Sequence, residues 1–204
     1  MVHHRKDAAG GAPLTAARGF KGARALGKRG SSWTHLLNQE DVTMSILDII
    51  KGEHRDATAM LDEAQKLEPD DARMADLAKR IEHALSTHVE IEERLFYGQL
   101  RKRAEEQEQR VELFEAYTEH EVASHLIALL KSRRKRDERF KAELQVLGEN
   151  IKHHVREEES TIFALAKKLM TQAELDDLGV KWEKARQQLP AEPAKQPAPR
   201  KKAA

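Results

Sequence analysis

His88-Val-Glu-Ile-Glu92 and His154-Val-Arg-Glu-Glu158 are the two stretches that decide how this chain folds. Each sets a histidine four residues before a glutamate, and on a helix that spacing stacks imidazole and carboxylate on one face, a turn apart. Both pairs continue an apolar stripe. Met74, Leu77, Ile81 and Leu85 lead into His88 and Glu92 and on to Leu95. Leu144, Leu147 and Ile151 lead into His154 and Glu158 and on to Ile162, Leu165 and Leu169. Ionisable groups on a core-facing stripe cost several kcal/mol each unless they are paired or bind a metal. Two such stripes predict helices packed around a polar centre.

Outward from these segments the pattern stays helical. A first helix is expected from about Met44 to Leu67, with Leu47, Ile50, His54, Ala57, Leu61 and Ala64 at steps of three and four. Glu68-Pro69-Asp70-Asp71 closes it and is expected to supply acidic first-turn residues to the next helix. No proline follows until beyond Arg133, yet a helix from Asp70 to Arg133 would extend about 95 Å. A turn is therefore expected between Gly98 and Gln107. The third helix carries Leu113, Ala116 or Tyr117, His120, Ser124, Ile127 and Leu130 on its inner stripe. Arg133-Arg134-Lys135-Arg136 marks the next turn and reads as a solvated run rather than a nucleic-acid patch. Thr171 and Glu174 have capping-box spacing and open a short fifth helix over 171–189 with Leu175, Leu178 and Trp182. The fold class is all-α: an up-down-up-down four-helix bundle over 44–170 with short turns.

Composition narrows the chemistry. The chain has 204 residues with 35% charged and 39% hydrophobic content, and its formal net charge of +1 gives no overall pull toward nucleic acid or membrane. It has no cysteine, which removes disulfides, zinc–thiolate sites and iron–sulfur clusters. No apolar run approaches the roughly 18–20 residues of a membrane span. The basic N-terminus lacks the apolar stretch of a secretory signal, so a cytoplasmic location is expected. Residues 1–43 carry seven Lys/Arg against three Asp/Glu with little periodicity, and read as a disordered basic extension ahead of a domain beginning near Met44. Residues 190–204, rich in Pro, Ala and Lys, read as a disordered tail.

Six residues then stand where a core residue belongs: His54, His88, Glu92, His120, His154 and Glu158. Counted from the expected turns, His88, His120 and His154 fall at one level of an antiparallel bundle. His54 misses that level by about 7 Å at helical rise. Imidazole and carboxylate donors without thiolate suit iron, manganese or zinc. Six donors exceed the four of a structural zinc and suit two metals bridged by the carboxylates. The other histidines read differently. His153 shares a water-facing stripe with Glu157, His83 and His125 lie off the inner lines, and His3 and His4 belong to the N-terminal extension.

These segments resemble the hemerythrin HHE cation-binding family over roughly residues 44–170. The resemblance rests on His54 in Gly-Glu-His-Arg, on His88-Val-Glu-Ile-Glu-Glu-Arg-Leu-Phe-Tyr97, on Glu119-His120, and on His153-His154-Val-Arg-Glu-Glu-Glu-Ser-Thr-Ile-Phe163. It implies a non-haem di-iron centre, with His54, His88, His120 and His154 as nitrogen ligands and Glu92 and Glu158 bridging two iron ions. Oxygen-carrying members have a second histidine four residues after the first on the third helix, where this chain has Ser124, so the resemblance implies an open coordination position there. Proline often follows the Leu-Phe pairs in bacterial relatives, where Gly98 and Ala164 stand here.

The expected function is therefore binding or sensing of a small oxidant (dioxygen, peroxide or nitric oxide) at the open position. Disproportionation of hydrogen peroxide and an iron-responsive regulatory module are the alternatives. The expected partner is that diatomic or peroxide ligand, with no specific nucleic acid and no membrane.

Overall fold

The computed structural model describes residues 44–189, which are helical and turn segments throughout. The disorder expected of 1–43 and 190–204 lies outside the described residues. Helix α1 spans Ile46–Lys66 and α2 spans Met74–Glu92. A π-helical turn, Glu93–Tyr97, carries α2 without a break into α3, Gly98–Arg103. Helix α4 is Gln107–Ser132. Helix α5, Glu138–Glu157, runs through a second π-helical turn, Glu158–Ile162, into α6, Phe163–Leu169. Helix α7, Gln172–Gln188, follows. Among the described residues no helix is long and apolar enough to cross a membrane.

The expected turns fall at Ala104–Glu106 and from Arg133 to Asp137. Asp137 caps α5 by accepting the Phe140 amide, and Thr171 with Glu174 forms the capping box of α7. One boundary differs from expectation. Asp70 and Asp71 do not enter α2: Asp71 accepts the Arg73 amide at 2.9 Å and binds its guanidinium, holding a turn up to Met74. The later start removes the expected offset of His54. It lies 12 residues before the end of α1 and His88 lies 14 after the start of α2, so the two face each other with ring centroids 5.0 Å apart.

Helix α1 packs against α2, α5 and α7, and α4 packs against α5 and α2, closing the four rods into a bundle. The inner stripes bury two apolar clusters. One gathers Ile46, Ile50, Phe96, Leu100, Leu113, Phe163 and the inner face of α7. The other gathers Leu61, Met74, Leu77, Ile81, Phe140, Leu144 and Leu147. Full burial of each such aliphatic or aromatic side chain contributes about 1.5–3 kcal/mol. Between the clusters lies one polar layer.

The π turns decide which residues follow that layer inward. In each, a backbone amide reaches five residues back, Gly98 to the Glu93 carbonyl and Phe163 to the Glu158 carbonyl. One extra residue per turn rotates the helix beyond it. Phe96 and Tyr97 are therefore buried after Glu92, and Leu95, expected on the stripe, is only half-buried. Proline at 98 would have no amide to give.

Candidate metal centre

The polar layer consists of His54, His88, Glu92, His120, His154 and Glu158, each between 0% and 7% exposed. All six sequence-derived candidates are brought together. Their inward atoms crowd one another: His88 Nε2 lies 3.1 Å from Glu92 Oε2, His120 Nε2 3.3 Å from the same oxygen, and His54 Nε2 3.1 Å from Glu158 Oε2. His154 Nε2 lies 3.7 Å from Glu158 Oε2 and 3.1 Å from His120 Nε2. Despite this proximity, Nε2 of His54 and His88 and all four oxygens of Glu92 and Glu158 are buried without a hydrogen-bond partner. Such groups are rare in folded proteins and costly where they occur. Lone pairs aimed at shared space fit a cation. The donors form two overlapping groups, His54–His88–Glu92–Glu158 and Glu92–His120–His154, with Glu92 common to both.

Behind each imidazole stands a second carboxylate. Nδ1 of His88 is 2.9 Å from Glu53, of His120 3.1 Å from Glu93, of His154 2.9 Å from Glu119, and of His54 3.1 Å from Glu159. The order is cyclic. Helix α1 supports a histidine of α2, the turn after α2 supports one of α4, α4 one of α5, and the turn within the last rod returns to α1. Once a metal displaces the Nε2 proton, a carboxylate on Nδ1 would keep the other proton there and turn the Nε2 lone pair inward, the arrangement that raises the basicity of a metal-ligating histidine. None of these four was among the expected site residues. The available signal was adjacency: Glu53-His54, Glu92-Glu93, Glu119-His120 and Glu158-Glu159 set each outer carboxylate next to one of four of the six inner residues.

The charges are strongly coupled. Burial would push the His88 imidazole down, but the Glu92 and Glu53 carboxylates hold it well above its ordinary range. The same contest, with Glu92 and Glu93 against burial, lifts His120 to about 9. Glu92 is buried yet held well below the usual carboxylate range by His88 and His120. Glu158 is raised by burial and by the charge of Glu92, which outweigh His54 and His154. Tyr97 stacks on His120 at 5.3 Å, and its hydroxyl is buried without a hydrogen-bond partner. Burial and the carboxylates of Glu158 and Glu92 push that phenol well above its ordinary value, so it stays protonated.

Ser124 is not at the site. It is exposed, because the inner stripe of α4 steps by four and three through Gln109, Leu113, Ala116, His120, Ala123 and Ile127. The step after His120 is three, and Ala123 takes the inner place. His125 and His153 are exposed as expected, and His83 is half-buried. His153 meets the outer side of Glu119 at 3.2 Å. A cavity of about 410 Å³ reaches the histidines between α1 and α2, walled by Ala57, Met60, Ala84, Leu85, Val89 and Val155.

Comparison with known proteins agrees with this geometry. The family model of the hemerythrin HHE cation-binding domain matches residues 45–166. A DNA nickase from Nostoc sp. is 24% identical over 163 residues, covering 80% of this chain but 44% of that protein, so the chain spans less than half of its length. The crystal structure of a hemerythrin HHE cation-binding domain-containing protein from Mycobacterium kansasii superposes with a TM-score of 0.62 at 18% identity. That match covers 71% of this chain and 86% of the other, and supports the fold.

Proposed function

From the premise that this chain belongs to the hemerythrin HHE cation-binding family, we propose that it holds a non-haem di-iron centre that binds or senses a small oxidant. The observation that carries the reading is the set of buried, unbonded donor atoms in two groups sharing Glu92. His54 and His88 would hold one iron and His120 and His154 the other, and Glu92 and Glu158 would supply carboxylate oxygens to the pair. Two bound iron ions would supply redox capacity and coordination positions that six protein donors leave vacant.

The protein's own part is orientation and exclusion. Glu53, Glu93, Glu119 and Glu159 lock the four imidazoles. The two apolar clusters keep bulk water from the layer. The cavity beside His54 and His88 admits a molecule of oxidant size from the α1–α2 side. The vacancy follows from the number of donors and not from Ser124. Elemental analysis after anaerobic iron loading should give about two iron ions per chain, and azide or nitric oxide should perturb the optical spectrum. A value near zero, or one tightly held zinc, would overturn the reading.

A second reading is favoured by Tyr97. Its phenol, held protonated by burial and by the carboxylates of Glu158 and Glu92 and without a hydrogen-bond partner, is placed to donate a hydrogen bond to a peroxide oxygen within the layer. Oxygen evolution from hydrogen peroxide by the iron-loaded protein, reduced in Tyr97→Phe with iron content unchanged, would favour this enzyme over a binding protein.

A further inference from the structure

We infer that α7 is a positioning element for one half of the centre, acting on His88 through Glu53. The inference rests on the two-cation reading above. Glu53 Oε1 accepts the Trp182 indole N–H at 3.1 Å and the Arg186 guanidinium at 2.9 Å. Its other oxygen meets His88 Nδ1 at 2.9 Å. Both carboxylate oxygens are thereby fixed, and with them the plane of the imidazole. The Trp182 ring adds an edge contact to His88 at 5.7 Å.

Trp182 is fully buried, so its N–H has no water to fall back on. A residue needed only as filler at this position would not require an indole aimed at a carboxylate. Helix α7 is itself held firmly. Its capping box closes at Thr171 and Glu174, Arg103 binds Glu174 at 3.0 Å, and Leu175 and Leu178 enter the core. A Cβ at Gly179 would run into the Met44 carbonyl, so only glycine permits α7 to lie this close to the start of α1.

The support is one-sided. On the opposite half, among the described residues, the outer carboxylates Glu93 and Glu119 receive no such clamp from α7, and behind His154 Glu119 meets only the exposed His153. Helix α7 also lies beyond residues 45–166, the segment matched by the family model. The centre proper and its clamp are therefore separable parts of the sequence.

The test uses the full chain, with ferrous ion or cobalt(II) titrated against a competing chelator. The double variant Trp182→Phe/Arg186→Met keeps an aromatic ring and an unbranched chain but removes both donors to Glu53. One of the two binding events should weaken by up to about 10-fold, the low end of the roughly 10–100-fold cost of losing the outer hydrogen bond itself, because Glu53 stays in place but is no longer fixed. It should be the event that His88→Ala abolishes, while the event abolished by His120→Ala stays within about twofold of wild type. Restoring a cation with Arg186→Lys beside Trp182→Phe should recover part of the lost metal affinity, while the metal-free melting temperatures of the two double variants, both lowered by the smaller ring in the core, should match. Equal weakening of both events, unrelieved by the lysine, would make α7 a packing element and overturn the inference, as would unchanged affinity at both. If the wild-type chain takes up no metal, the two-cation reading fails first and this inference with it.

Discussion

Raising the pH of the metal-free protein from about 6 to 9.5 should destabilise it, and the same change should strengthen its hold on metal. His120 is kept protonated to about 9 by Glu92 and Glu93 despite burial, against 6.5 for an unperturbed imidazole. A group whose folded-state value is raised stabilises the fold fully below the unfolded value. That stability is lost as pH rises through the folded value. The window therefore runs from about 6.5 to 9. Its size for His120 alone is on the order of 3 kcal/mol, at up to about 1.4 kcal/mol per pH unit. His88, raised by Glu92 and Glu53, adds in the same direction. Against a total stability of typically 5–15 kcal/mol for a domain, this is large. The assay is urea unfolding of chelator-treated protein at about one-unit pH steps, with a common slope against urea checked at each. Metal needs neutral imidazole, so chelator-competition affinity should rise over the same window. Metal-free stability that is flat or increasing between about 6.5 and 9 would refute the coupled-charge description. So would a fall of the same size in His120→Asn.

Other outcomes follow from the same geometry. Glu158→Ala should lose much of the bound iron and several degrees of metal-dependent melting temperature, because ligand bound only to the folded state stabilises it; Glu157→Ala, on an exposed position, should change little, and equal losses would break the register of α5. Ser124→His should leave iron content and the iron spectrum as they are, since that side chain faces solvent; an added ligand signature would show that α4 is rotated from the position described. Supercoiled plasmid should stay supercoiled with the iron-loaded protein, because the six inner residues are at most 7% exposed and out of reach of a phosphodiester. Metal-dependent nicking on a gel would bring the likeness to the Nostoc protein to the fore.

The inner layer was legible because periodicity and chemistry disagree there. His54, His88, Glu92, His120, His154 and Glu158 sit where Leu or Ile would be expected, and a helix of 3.6 residues per turn converts that into one shared face. The outer ring was illegible for the opposite reason. Glu53, Glu93, Glu119 and Glu159 stand next to the stripe, half-exposed, in a chain with 35% charged residues, and look like any solvated glutamate. The π turns leave no mark on a 3.6-residue count because each inserts one residue into an otherwise regular stripe, which is why Leu95 was expected where Phe96 is buried. Ser124 was misplaced because steps of three and four both keep a helical face, and only packing against α5 and α2 selects Ala123. Trp182 read as core, which it is, but its N–H partner on α1 lies 129 positions away in sequence.

X-ray absorption at the iron edge of the anaerobically loaded protein tests the central claim most directly. Two irons held by His54, His88, His120 and His154 and joined through Glu92 and Glu158 should give about two imidazole ligands per iron. A metal–metal vector should appear at roughly 3.5–4 Å, the usual separation in two-metal sites. A spectrum with imidazole scattering but no metal–metal vector, at full loading, would contradict the account.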